Sequence, residues 1–381
     1  DKLVTGVQTC ALPIYEVEIK NQLESSYEGV FFSYFDFNSS LPLSEQTDFF
    51  KKELKNTSLI FAKTDADNID FSESSKLVKK VSSEYLNGMP LSVISTINRE
   101  ENKIARIPFL YDMAEIDVEY NYYKKSSVKE LNLWNDLVQV AQDEQKIVDT
   151  PIVFGYKDDA ILLDIFGQLS EVFSLYEESE ALYNSLYEIF KDYRKNGQDE
   201  LKKISEVFKT NKAAEETIFQ LRRMMTAKNG VIKNYVRELT NTDALFYAEN
   251  SLCGIYFTSL SGHRKIAQNA VSNFKSIYYP SVSATTRRKF TAQEYCIIAL
   301  DNSEDTLSVI ADFCNLKQSE ISRATGLSPV QKSCQTADKQ ADDVRFWLTA
   351  SSGPLPPLST ALPETQALSY AAESLRSLLE E

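Results

Sequence analysis

The sequence predicts an α/β protein built as two lobes, and three observations carry that prediction. Runs of β-branched and aromatic residues with period two alternate with amphipathic stretches of period 3.6, the pattern of strands interleaved with helices. The chain has 381 residues, 43% of them hydrophobic, which is enough for two separate cores. Between Ile104 and Tyr120, two extended runs flank a proline and a polar-aromatic corner, as expected where one lobe hands the chain to another.

That hand-over organises the rest. A polar turn, Asn98–Asn102, leads into the strand-like run Ile104–Ile107. Pro108 is expected to stop the strand, because its ring removes a backbone N–H from any ladder. Phe109, Leu110, Tyr111 and Asp112 form an aromatic and acidic corner, and Ile116–Tyr120 alternates as a second strand ending at Asn121. A crossover between lobes is where a cleft and a hinge are expected, so Tyr111 and Asp112 are candidate ligand contacts.

Composition excludes several functions. A net charge of −14 argues against nucleic acid, whose phosphates need a basic stripe. Histidine occurs once, at His263, which excludes a His-rich metal site and argues against triad chemistry. The five cysteines show neither CxxC nor zinc spacing, and Cys253 and Cys296 lie in apolar runs as small buried hydrophobes. No apolar run reaches the roughly 18–20 residues of a membrane span. No glycine-rich phosphate loop is present, and no cofactor is called for. The 20 tyrosines and 21 phenylalanines leave aromatics to spare for a ligand cleft.

Taken in order, Asp1–Ile14 is similar to translated sequencing-adapter read-through and is set aside from fold reasoning. A signal segment and the first strand of lobe one are expected to be missing from this sequence. Tyr15–Glu28 is an amphipathic helix ended by Gly29, and Val30–Phe35 is a strand. Leu43–Leu54 is a helix, and Leu59–Ala62 is a short buried strand running into Lys63–Asp67. Polar loops at strand ends bind ligands in α/β sheets, so Asp65 and Asp67 are candidates for hydroxyl hydrogen bonds; both also suit a helix cap or an Asx turn.

Leu131–Gln145 is an amphipathic helix with Trp134 on its packing face. Thr150–Gly155 is a strand, Tyr156 follows it as a candidate contact, and Lys157, Asp158 and Asp159 cap the helix through Leu162, Ile165, Phe166 and Leu169. Glu171–Leu239 is almost wholly helical, its apolar stripes being core faces and its opposite charges solvated surface. A helix before Asn250 and the strand Leu252–Phe257 lead to a polar loop, Thr258–Gly262, making Phe257 and Ser259 candidates, with His263 at the surface. In Phe274–Pro280, Tyr278 and Tyr279 point to opposite faces, and Tyr279 is the candidate. Tyr295–Leu300 is a strand, Asn302 or Ser303 caps the helix Glu304–Leu316, Ser351–Pro363 is extended, and Thr365–Glu381 is a closing helix.

Several ordered segments carry a resemblance: Asn102-Lys103, Ile107-Pro108-Phe109, Tyr120-Asn121, Lys124-Lys125, Thr150-Pro151-Ile152, Asp243–Phe257, Asp301–Glu304 with Ala311–Phe313, and Gly326–Val330. Together, over Tyr15–Glu381, they resemble the extracellular solute-binding proteins of ABC importers, family 1, of the sugar-binding kind. Two departures stand out: Thr57-Ser58 replaces the family's Pro-Asp, and the Thr258–Gly262 loop lacks its frequent Trp. The resemblance implies a two-lobed periplasmic-binding-protein type II fold with a hinge and an inter-lobe cleft. It implies lobe one at 15–112 and 291–325, and lobe two at 113–290 and 326–381. It also implies a monomer at the periplasm or cell surface, lipid-anchored at full length, that captures a small solute and delivers it to the transmembrane subunits of an ABC permease. No bond need be broken, so no enzyme is implied. Tyrosine faces and carboxylates suit a carbohydrate ligand. A scaffold that lost transport and a carboxylate-based glycoside hydrolase are the other readings.

Overall fold

The computed structural model describes residues 2–6, 24–25, 31–35, 52, 57–63, 81–82, 103–104, 106–174, 178–226, 230–266, 268–283, 289–350 and 354–381. Contacts divide the chain into unit 1, Asp1–Asp112 with Ala292–Pro356, and unit 2, Met113–Thr291 with Pro357–Glu381. Residues 326–356, expected in the second lobe, therefore belong with unit 1. The reason is local: Ser328 and Pro329 pair with Tyr111 and Leu110, and Ser328 Oγ donates to the Ala341 carbonyl at 2.8 Å.

The described strands are β1 (Lys2–Gly6), β2 (Phe31–Phe35), β3 (Leu59–Lys63), β4 (Val81–Ser82), β5 (Lys103–Ile104), β6 (Arg106–Glu119), β7 (Thr150–Val153), β8 (Cys253–Ser259), β9 (Phe274–Ile277), β10 (Ala292–Ala299) and β11 (Ser328–Pro329). β1, within the segment set aside above, pairs in parallel with β2. β6 is the long element, serving unit 1 up to Asp112 and unit 2 from Met113. Pro108 does not stop it. A proline φ suits extended backbone, and the one ladder bond forgone is worth about 1 kcal/mol. Ile107, Phe109, Tyr111, Ile116 and Val118 are all buried along the same strand, at ~1.5–3 kcal/mol each.

In unit 1, β10 lies between β3 and β6, antiparallel to β3 with Ile297 opposite Phe61. Its core is aromatic: Phe61, Phe109 and Phe313 meet at ring-centroid distances of 4.9–5.8 Å. In unit 2, β8 lies between β6 and β7, antiparallel to the first and parallel to the second, while β9 also pairs with β6.

The helices of unit 2 that bear on function are α1 (Trp134–Glu144), α2 (Asp159–Phe173), α3 (Glu178–Asn196), α4 (Lys212–Thr226), α5 (Asn241–Glu249), α6 (Leu260–Lys265) and α7 (Thr365–Glu380). The apolar stripes of α1–α4 and α7 build one large core over the sheet face carrying Ile116, Val118, Ile255 and Phe257. The opposite face carries Tyr256 and Cys253 and is covered by a smaller cluster with Ala244 and Ala248 of α5. Among the described residues four cysteines are present, Cys253, Cys296, Cys314 and Cys334, all buried as thiols. Among the described residues, no helix is long and apolar enough to cross a membrane.

Candidate functional site

The sequence candidates divide between the units. In unit 1, Tyr111 is 1% exposed and lies in register with Ser328 of β11. Burial, helped by the nearby Glu294 carboxylate, pushes its phenol well above the usual value. Asp112, the last residue of unit 1 before the hand-over, is half-buried. Asp65 and Asp67 lie outside the described residues.

In unit 2, the loop after β7 is built on a close approach. A Cβ at Gly155 would come within 2.8 Å of the Asn241 backbone, so a glycine is needed where β7 passes the start of α5. The Asp158 carboxylate accepts from the Asn241 N–H at 2.5 Å, which ties the same two segments. The closing helix locks the loop from the other side. Arg376 donates to the Tyr156 and Lys157 carbonyls at 3.1 and 2.8 Å and pairs with Asp159 at 2.8 Å. The Tyr156 ring is thereby fixed, 2% exposed, against a pocket of about 790 Å³ that Lys157, Arg237, Thr240, Arg376 and Glu380 also line. Its hydroxyl is buried without a hydrogen-bond partner. Burial raises its pKa, which Arg237 and Arg376 act to lower.

From Tyr156 a string of rings crosses the core. Tyr156 meets Phe154 at 6.0 Å, Phe154 stacks on Phe257 at 5.8 Å, and Phe257 meets Trp134 at 6.3 Å and Tyr279 at 5.5 Å. Trp134 ends the string edge-on to Phe173 at 5.2 Å. Trp134 and Phe173 form the apolar side of a second pocket, about 510 Å³, whose polar side is Glu178, Glu216, Gln220 and Arg223. The structure thus brings three candidates, Tyr156, Phe257 and Tyr279, into one cluster. Only Tyr156 reaches a pocket; Phe257 and Tyr279 are core rings behind Trp134. Sequence reasoning read Trp134 as packing, which it is, and missed that it also lines a pocket. Arg237 and Arg376 were missed because no motif links them to Tyr156, whose sequence neighbours they are not.

Ser259 ends β8 and caps a helix rather than opening a polar loop. Its Oγ accepts from the Gly262 N–H at 3.3 Å and lies 3.0 Å from Ser261 Oγ, which starts α6. His263, expected at the surface, is buried on α6, with Nδ1 2.8 Å from Asp117 Oδ2. Ser276 Oγ donates to Asp117 Oδ1 at 2.5 Å and lies 3.2 Å from the same His263 Nδ1. A Ser–His–Asp relay needs serine and carboxylate on different ring nitrogens, so this arrangement organises a buried acid instead of activating a nucleophile. Glu119 beside it accepts from the Tyr122 N–H at 2.8 Å and from Asn121 Nδ2 at 3.1 Å. Glu144, fully buried at the end of α1, has both carboxyl oxygens without a partner. Burial first, then the Glu119 and Asp143 charges, raise its carboxyl to about 9. Among the described residues, no group of three or more side chains is placed to hold a metal ion.

No protein-family model matches this chain, and no curated protein matches it in sequence. Solved structures do match in fold. The msme binding protein of Bacillus subtilis strain 168, in an open conformation, superposes with a TM-score of 0.70 at 10% identity, over 100% of this chain and 95% of the other. A sugar transporter of Bacillus licheniformis, solved with stachyose, gives 0.65 at 11%, over 100% and 97%. A family 1 extracellular solute-binding protein of Bifidobacterium longum subsp. infantis gives 0.58 at 13%, over 99% and 98%. The fold is therefore the two-lobed α/β fold of solute-binding proteins, along the whole chain, as the sequence predicts.

Proposed function

We propose that this chain is the substrate-binding component of an ABC importer, which captures a small solute of the carbohydrate class outside the cytoplasm and delivers it to a membrane permease. The observation that carries the reading is the likeness in fold over essentially the full length of both partners, to structures that include a sugar transporter holding stachyose. The chemistry of unit 2 supports it. An aromatic wall, Trp134 and Phe173, faces carboxylate, amide and guanidinium groups in one pocket, and such a pairing suits the C–H faces and hydroxyls of a sugar. In this reading Tyr111 and Asp112 of unit 1 and Tyr156 and Ser259 of unit 2 contact the solute, Asp65 joins them, and Phe257 and Tyr279 set the position of Trp134. The protein acts as a monomer, lipid-anchored at full length, and carries out no chemistry.

A thermal-shift screen of the full chain against sugars, polyols, peptides and polyamines tests this. A ligand present at 100 times its Kd adds about 2.7 kcal/mol of stability, a shift of several degrees. A sugar that raises Tm in proportion to the logarithm of its concentration supports the reading. No response to any sugar, or turnover of glycosides by the purified chain, overturns it.

A further inference from the structure

The pocket at Tyr156 holds donors that an anionic group engages more fully than a neutral sugar does. Arg237 lines it and, among the described residues, has no carboxylate within ion-pair distance; its one hydrogen-bond contact is Met225 Sδ, 3.9 Å from a terminal nitrogen. Its Nε is buried without a partner, and so is the Tyr156 hydroxyl. The other charges in the pocket have partners, Glu380 on the rim excepted. Lys157 pairs with Glu238 at 2.7 Å, Arg376 with Asp159 at 2.8 Å, and Asp158 takes the Asn241 N–H. Three donors on residues that line the pocket are left without a hydrogen-bond partner, the Tyr156 hydroxyl and the Nε of Arg237 and of Arg376, and the guanidinium of Arg237, which pairs with no carboxylate, has a planar fork that matches an oxyanion. Buried donors are almost always satisfied, by the protein, by ordered water or by a ligand, and a guanidinium beside a pocket of this size has room for the last.

We infer that the Tyr156 pocket binds the oxyanion of an acidic small solute, a carboxylate or a phosphate, which Arg237 holds through its guanidinium and Tyr156 through its hydroxyl. This deepens the preceding reading, on which it rests for the assignment of Tyr156 to the ligand: the solute carries an acidic group. Arg376 is a positioning residue, since its terminal nitrogens are committed to Asp159 and to the two loop carbonyls. Glu380, exposed on the rim, opposes the anion.

Titration calorimetry on the full chain, with sodium phosphate, sodium sulfate, D-glucuronate and D-glucose at matched ionic strength, tests the inference. Glucuronate or phosphate is expected to bind. Binding should weaken at least tenfold in Arg237→Met and severalfold in Tyr156→Phe, and tighten in Glu380→Gln. Tyr156→Phe also removes an unsatisfied buried hydroxyl, so the free variant should be at least as thermostable as the parent, which separates a ligand role from a structural one. Binding of glucuronate but not phosphate identifies an acidic sugar; binding of both identifies the oxyanion alone as the determinant. Binding of glucose with no response to any oxyanion overturns the inference and leaves the transport reading standing. Oxyanion binding that Arg237→Met leaves unchanged in a folded variant overturns it as well, and so does absence of binding by phosphate, sulfate and glucuronate alike, while the transport reading stands or falls on the sugar screen.

Discussion

The two halves of β6 make opposite choices. In the first half Ile107, Phe109, Leu110 and Tyr111 are buried on both sides of the strand, and Phe109 packs against the rings of Phe61, Tyr295 and Phe313. In the second half Ile116 and Val118 alternate with Glu115, Asp117 and Glu119, and the three carboxylates are as buried as their neighbours. One strand thus supplies a dry core to unit 1 and, to unit 2, a dry face backed by an acidic one. Apolar packing tolerates changes that keep volume, whereas a buried acid depends on each hydrogen-bond partner. The second half should therefore be the more brittle.

The largest expected effect breaks that acidic face. Asp117→Ala removes the carboxylate that the buried His263 and the half-buried Ser276 bond to, and should destabilise the chain by about 3–5 kcal/mol, read from urea denaturation. A loss below 1 kcal/mol would mean that the face is wet and the contrast false.

Next is Glu144→Gln, with the opposite sign. The native carboxyl is raised to about 9 from an ordinary 4.5, so the folded protein keeps a proton that the unfolded chain releases. On this account stability is complete below about pH 4.5 and falls by ~1.4 kcal/mol per pH unit as pH rises toward 9. The glutamine variant should be more stable by roughly 3 kcal/mol at pH 7, with the gain vanishing near pH 4.5. Parallel stability–pH curves for parent and variant would refute it.

A third change probes the same contact from the strand. A Cβ at Gly254 would collide with the Glu144 carboxylate, so Gly254→Ala should cost about 1–3 kcal/mol. Adding Glu144→Ala should recover most of that loss; additive losses in a double-mutant cycle would show the two sites to be independent. Smallest is Phe109→Leu in the first half, expected to cost no more than about 1.5 kcal/mol by the same urea assay. A loss equal to that of Asp117→Ala would erase the difference between the halves.

This contrast also marks what the sequence could disclose. Period two in Ile116–Tyr120 told where the strand ran and which residues shared a side, and the helical stripes told where the core lay. It did not tell that the acidic side would be covered, because the cover comes from α5 and α6, more than a hundred residues away. His263 next to Arg264 read as surface, since its partner Asp117 is 146 positions distant. Pro108 read as a stop because local rules weigh one missing N–H and not the burial around it. The sequence candidates are mostly aromatic residues near strand ends, but solvent access depends on what packs above each ring: Tyr156 lines a pocket, while Phe257 lies behind Trp134. That Arg237 and Tyr156 line one pocket was not legible at all, because only the fold brings the turn carrying Arg237 beside β7.

The four buried thiols turn the molecule into its own stopwatch. Cys253 belongs to unit 2, while Cys296, Cys314 and Cys334 belong to unit 1, and none meets solvent in the folded chain. An alkylating reagent can mark each only when its surroundings come apart. Counting adducts peptide by peptide over time would therefore read the opening of the two units separately, without a label having to be introduced.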